Sequence, residues 1–221
     1  MPRELLDRAQ GEPSPPLIGR FLEIGHKAEQ ADYRTAGHAL GAIYGPKARY
    51  RYLLWRVWDD TRPKVIFVLL HPGRADEIRG DASIERCHDV ALSAGTKCGG
   101  FAILNLFAWR CEYPSELLDA EDPVGPENDR ITGEVFQRAG SRDLIVAAWG
   151  NEKPGVLGLK HRERILLIEK QLRARGGDGP RVLALQTLAN DYPQEPLKVS
   201  APFRLCHYDL AAWAAANDPA N

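Results

Sequence analysis

The chain has no apolar run near the ~18 residues that a membrane-spanning helix needs, and no charged-then-apolar start ending in a small-residue cleavage site. Neither a spanning helix nor a secretory route is expected, so a cytoplasmic location is. Cysteine is scarce: Cys87, Cys98, Cys111 and Cys206 show no paired CxxC spacing and fall on or beside apolar segments. That pattern speaks against zinc and iron–sulfur centres and for reduced, structural thiols. No metal or cofactor is expected. Internal repeats and low-complexity tracts are absent as well. A net charge of -1 withholds any global signal for a polyanionic partner.

What is present is ordinary globular composition, with 44% hydrophobic and 27% charged residues over 221 positions. This is enough to bury the core of one α/β domain. Residues 1–48 read as an N-terminal appendage, with Pro13, Pro15 and Pro16 ahead of a short helical pattern (Leu17, Ile18, Phe21, Leu22) that stops near Gly25. Residues 49–221 read as the domain itself.

Four segments share one character: Val65 to Leu70, Phe101 to Leu106, Leu144 to Trp149 and Val182 to Leu185 are continuous apolar runs of strand length. Continuous rather than alternating hydrophobicity means burial on both faces, as in a parallel sheet covered by helices. The connectors agree. Ile84, Cys87, Ala91 and Ala94 keep helical spacing, with Ser83 or Asp81 as N-cap and Gly95 as stop. Pro114-Ser115 opens a short helical stretch, and Ile131, Val135 and Ala139 line a second helix. Leu157, Ile165, Ile168 and Leu172 line a third, ended by Gly176-Gly177. Tyr50 to Val57 reads as an antiparallel or edge strand. The expected fold is therefore a three-layer α/β/α domain with a mostly parallel sheet of four to five strands.

In such sheets ligands bind beyond the carboxyl ends of the strands, where loops and helix N-termini converge. After the first run come His71, Pro72, Gly73, Arg74, Ala75 and Asp76; the second ends in Asn105 and leads to Trp109 and Arg110. The third ends in Trp149, Gly150 and Asn151, and the fourth leads to Thr187 and Asn190. Asn105 inside an apolar run is costly to bury unpaired, so it is either a satisfied structural amide or a group that reads the hydrogen-bonding edge of a base. His71 can polarise a leaving group, bind phosphate or be structural. Trp149 can stack on a base or fill the core. Asp76 and Asp81 are the nearest acids, and either can orient water, though Asp81 can equally be only a helix cap.

Charge is segregated along the chain. Lys47, Arg49, Arg51, Arg56, Arg62 and Lys64 outweigh Asp59 and Asp60, and seven Lys/Arg between 153 and 175 outweigh Glu163 and Glu169. Each is either a binding stripe or a solvated face. Residues 112–129 carry seven acids and no Lys or Arg, and are expected to face away from any polyanion.

Several linked motifs carry a resemblance. They are Tyr50-Arg51-Tyr52-Leu53-Leu54-Trp55-Arg56, the run from Phe67 to Asp76 with Asp81 and Arg86-Cys87 behind it, Asn105 to Arg110, Asp122 to Asp129, and Ala148-Trp149-Gly150-Asn151. Over about Arg49 to Lys198 the chain resembles the bacterial domain of unknown function 1643. Where that family reads Asn-Pro-Ser-Thr-Ala-Asp this chain has His71 to Asp76, and where it reads His-Pro-Leu-Tyr this chain has Glu195-Pro196-Leu197-Lys198.

A more distant resemblance is to the uracil-DNA glycosylase superfamily, in the order of His71-Pro72-Gly73, Asn105 and Trp149-Gly150. The last motif of that superfamily, a His-Pro-Ser loop, is not matched between Gln186 and Lys198. The resemblance implies a monomeric DNA glycosylase that flips a base out of the helix, acting in repair or antiviral defence. Asp76 would orient water, Asn105 would read the base, and the Pro72–Asp76 loop with His71 would stabilise the departing base. Arg74, Arg110 and Lys198 would hold phosphates, and the altered loops imply a modified base, with phage DNA as one source. Two alternatives stay open: a hydrolase or transferase of free nucleotides or nucleosides, and a non-catalytic nucleic-acid-binding module.

Overall fold

The four apolar runs become strands in the computed structural model, which describes residues 29–35, 38–74, 80–93, 97–151, 155–176 and 179–219. They are β4 (Lys64–Leu69), β5 (Gly100–Asn105), β6 (Leu144–Ala147) and β7 (Arg181–Ala184). The rest of the sheet is β1 (Glu29–Thr35), β2 (His38–Tyr44), β3 (Arg51–Val57) and the two-residue β8 (Cys206–His207). Together they form one eight-stranded sheet in the order β1-β2-β3-β5-β4-β6-β7-β8.

The sheet is mixed, which corrects the expectation of a mostly parallel one with four to five strands. Its centre, β5-β4-β6-β7, is parallel. The pairings β1/β2, β2/β3, β3/β5 and β7/β8 are antiparallel. The parallel part is the part that reads as continuous apolar sequence, as burial on both faces demands. β3 is not an edge strand, because β2 covers its outer side.

Among the described residues the sheet is joined by four α-helices: α1 (Ala82–Ser93), α2 (Asn128–Arg138), α3 (Gly155–Arg175) and α4 (Leu210–Asn217). The core divides into two clusters. Ile84, Cys87, Val90 and Ala91 of α1 pack with Val65, Phe67, Leu69, Phe101 and Ile103. Residues of α2, α3 and α4, among them Ile131, Val135, Ile165, Ile168 and Trp213, pack with Ile66, Val68, Ala102, Leu104 and Ala147. Alternation along each strand assigns the two sets to opposite faces.

Connectivity explains that division. The chain enters the parallel part at β4, passes through α1 to β5 on one side, then returns past β4 to β6 on the other. Right-handed crossovers that travel in opposite directions put their helices on opposite faces, and the loops after β4 and β6 then part to leave a crevice. The expected helix over Leu17 to Gly25, the stop at Gly95 and the acid Asp76 lie outside the described residues. No described helix is long and apolar enough to cross a membrane.

Candidate functional site

The carboxyl ends of β4, β5 and β6 are tied together by the backbone. Leu106 and Phe107 donate to the carbonyls of Leu69 and Leu70, Ala148 donates to Val68, and Cys111 pins the Pro72 carbonyl at 3.3 Å. At this end Asn105 is 1% exposed, and among the described residues neither its Nδ2 nor its Oδ1 has a hydrogen-bond partner. Ile103 and Phe101 share its face, so its side chain lies on the α1 side of the sheet.

Its backbone, by contrast, is held firmly. Asn128, fully buried at the start of α2, donates from Nδ2 to the carbonyls of Asn105 (3.1 Å) and Leu106 (3.2 Å). Arg164 donates from Nε to the same Leu106 carbonyl at 2.8 Å and pairs with Asp129 at 2.5 Å. The end of β5 is thus fixed from α2 and α3 while its side-chain amide is left open, as a preorganised recognition group requires. Asn128→Ala is expected to cost about 1–3 kcal/mol in chemical denaturation, because it strips two buried carbonyls of a donor.

Three further groups cluster on the same side. Gly73 passes so close to Asp81 that a Cβ would fall 2.6 Å from Asp81 Oδ2, so a larger residue there would displace that carboxylate. Asp81 Oδ1 accepts from the Ile84 backbone N–H at 2.9 Å, so the helix-cap reading of Asp81 holds and Ser83 is not the cap. Arg51, 2% exposed, lies within the field of Asp81; burial pulls its guanidinium down to about 10, with Asp81 opposing that fall. Burial, reinforced by Asp81, also pushes the Cys87 thiol up, which keeps it an inert neutral group. His71 is half-buried immediately after β4.

Glu195 reaches this end from far along the chain. Gly150, at φ +81°, leaves room for it: a Cβ there would fall 2.3 Å from Glu195 Oε1. Lys198 pairs with Glu195 at 3.4 Å and is otherwise exposed. The short turn Pro196–Lys198 packs against α1, and Arg86 of α1 donates to the Val199 carbonyl. The segment that departs from the family pattern therefore bridges the loop after β6 and the helix after β4. Glu195 stands out in the sequence only as a departure from the family pattern, and only the glycine at Gly150 hints that something must approach closely.

The remaining site residues are drawn elsewhere. Arg74, Trp109 and Arg110 join Lys47, Ala48 and Arg49 around an open cleft of about 490 Å³. Arg110 is spent largely on structure: it donates to the carbonyls of Ala48 (3.2 Å) and Arg74 (2.6 Å) and lies over the Tyr44 ring. Asn151 and Asn190 bond to each other at 2.6 Å. Thr187 and Asn190 line a separate cleft of about 310 Å³ with Tyr208 and Trp213. Trp149 is fully buried on the other face of the sheet, edge-on to Tyr208 at 6.1 Å, and so fills the core rather than offering a stacking surface.

The charge segments also resolve unevenly. Arg51 and Lys64 are buried, Arg56 pairs with Glu85 and Arg62 with Asp59, while Lys47 and Arg49 are exposed and line the cleft. Arg164 is buried and committed to Asp129 and Leu106, so it is not a surface contact for phosphate. The acidic stretch does not keep to a remote face: Glu112 stands 3.8 Å from Arg74, and Asp122 and Glu121 add to the burial that raises the Tyr50 pKa.

The chain matches the family described as "protein of unknown function (DUF1643)" over residues 51–197, well over half its length, and belongs to that family. A search of curated proteins and a search of solved structures each returned no match.

Proposed function

We propose that this protein is a DNA glycosylase-like hydrolase that takes a modified base out of the helix and cleaves its N-glycosidic bond, in repair or in defence against phage DNA. The observation that carries the reading is Asn105. A buried amide with both donor and acceptor unmatched, at the carboxyl end of a parallel strand beside the point where strand order reverses, is complementary to the edge of a base. Its burial means that the segments above it part when the base enters.

The chemistry adds water at the sugar C1′ as the base leaves with the bonding pair, so positive charge builds on the sugar and negative charge on the base. Asn105 would hold the departing base, aided by backbone N–H groups of the loop after Pro72 and by His71. Asp76 would orient the water, since Asp81 already spends one carboxylate oxygen on capping α1. Helices on both faces of the parallel strands fit the three-layer arrangement that this reading calls for.

The test is incubation with unmodified, uracil-containing and phage-modified DNA, followed by an assay for abasic sites. Abasic sites in at least one substrate are expected, and Asp76→Asn should slow their formation while leaving DNA affinity equal or slightly higher. Release from free nucleosides but from no polymer would turn the reading toward a nucleoside hydrolase. An inactive protein that still binds DNA would leave a binding module.

A further inference from the structure

We infer that the cleft lined by Lys47, Ala48, Arg49, Arg74, Trp109 and Arg110 is a groove for the phosphate backbone of a single nucleic-acid strand, with Trp109 as a stacking platform for one base. This deepens the reading of the site as acting on a polymer, and rests on that reading only in taking the strand to be DNA.

Four of the six lining residues are cationic and none is acidic; even with Glu112 standing 3.8 Å from Arg74, the lining keeps an excess of positive charge that attracts a polyanion. Arg49 is exposed and has no ion-pair partner among the described residues, so its charge is available. Trp109 is partly exposed; Tyr50 meets its ring at 5.4 Å and 75°, and Tyr52 stacks on Tyr50 at 5.8 Å. Gly125, at φ +87°, comes within 2.7 Å of Tyr50 at the position a Cβ would take, so the aromatic row is backed and cannot retreat. A rigid aromatic beside a basic groove is the pairing that single strands use, with bases stacked and phosphates tracked by charge.

The groove is also built on one frame with the sheet end. Arg110 links its two walls through the Ala48 and Arg74 carbonyls, and an antiparallel bridge joins Tyr50 to Trp109 four residues beyond Asn105. Arg74 itself follows directly on the His71-Pro72-Gly73 loop. A strand lying in the groove would therefore run toward the His71-Pro72-Gly73 loop after β4.

The test is fluorescence anisotropy with a labelled oligothymidylate of about a dozen nucleotides, which carries no base that needs excision. Neutralising three to four phosphates predicts a slope of log affinity against log salt of about -2 to -3, and Lys47→Asn with Arg49→Glu should flatten it by about 1.4. Trp109→Ala should weaken binding about five- to hundredfold and abolish quenching of tryptophan emission by the strand. Circular dichroism of each variant, with Arg49→Gln as a milder substitution, separates lost binding from lost fold. Unchanged affinity and slope in the folded double variant would overturn the groove. So would equal occupancy by thymidine monophosphate, or binding only to vesicles of anionic lipid. An oligoribonucleotide of the same length bound in preference would make the strand RNA. Because this assay reads no base release, a groove that binds in a protein that forms no abasic sites would sink the hydrolase reading alone.

Discussion

Asn105→Leu is expected to make the protein more stable and less able to act. Leucine keeps the branching and the number of heavy atoms of the asparagine side chain while removing a donor and an acceptor that have no partner among the described residues and almost no exposure. A buried unsatisfied polar group costs about 1–3 kcal/mol, so the variant should unfold at higher denaturant by about that much, with an unchanged denaturant slope. The same change removes the hydrogen bonds proposed to read the base. Those are worth about 1–3 kcal/mol, so base release should fall by about five- to a hundredfold. Opposite movement of stability and activity is the mark of a group kept for a ligand at the expense of the fold. If Asn105→Leu instead unfolds more easily, the amide has a structural role and the recognition reading loses its carrier.

Arg164→Glu should be the most destabilising single change at this end of the molecule, and should act through the fold rather than through DNA. The guanidinium is 8% exposed and serves both the Leu106 carbonyl and the Asp129 carboxylate. Reversal sets a buried negative charge against both, and leaving a buried charge uncompensated costs about 3–5 kcal/mol. Denaturation should show the loss directly, with Asn128→Ala moving the same way by less. A folded Arg164→Glu variant of near wild-type stability, whose DNA affinity drops with a shallower salt slope, would restore Arg164 to the interface and count against its assignment here.

These two residues also show what sequence reading can reach. The parallel strands were legible because two covered faces force an unbroken apolar run, as in β4 and β5, both buried at every position. β2 was not, because small residues interrupt it: Gly41 must lack a Cβ that would fall 2.0 Å from the Trp55 ring, and Ala39 and Ala42 on either side have little β character of their own. β8 is two residues long and carries no periodicity at all.

Position after a strand found Asn105 and the Gly73 turn, since the rule behind it is topological. It did not distinguish Arg164 from a surface arginine, because helical spacing says which face a residue is on and not which carbonyl lies beneath it. It set Thr187 and Asn190 beside the other loops, whereas the turn after β7 leads them to a cleft with Tyr208 and Trp213. Arg51 reads as one more charge in a basic stripe; a register shift in the β2/β3 pairing, between Ile43 and Tyr44, accompanies its inward turn. Glu195 meets Gly150 through a contact 45 positions away, and only the tertiary structure brings the two together.

The central claim is that the open amide of Asn105 recognises a base whose glycosidic bond this protein cleaves. The most direct measurement is single-turnover release of free base from modified DNA, followed by mass spectrometry, in the wild type and in Asn105→Leu at matched folded concentration. The account predicts a released base from the wild type, a rate lower by about five- to a hundredfold in the variant, and little change in how tightly either holds the DNA. Equal rates from the two proteins, or no base released by the wild type from any substrate, would contradict it.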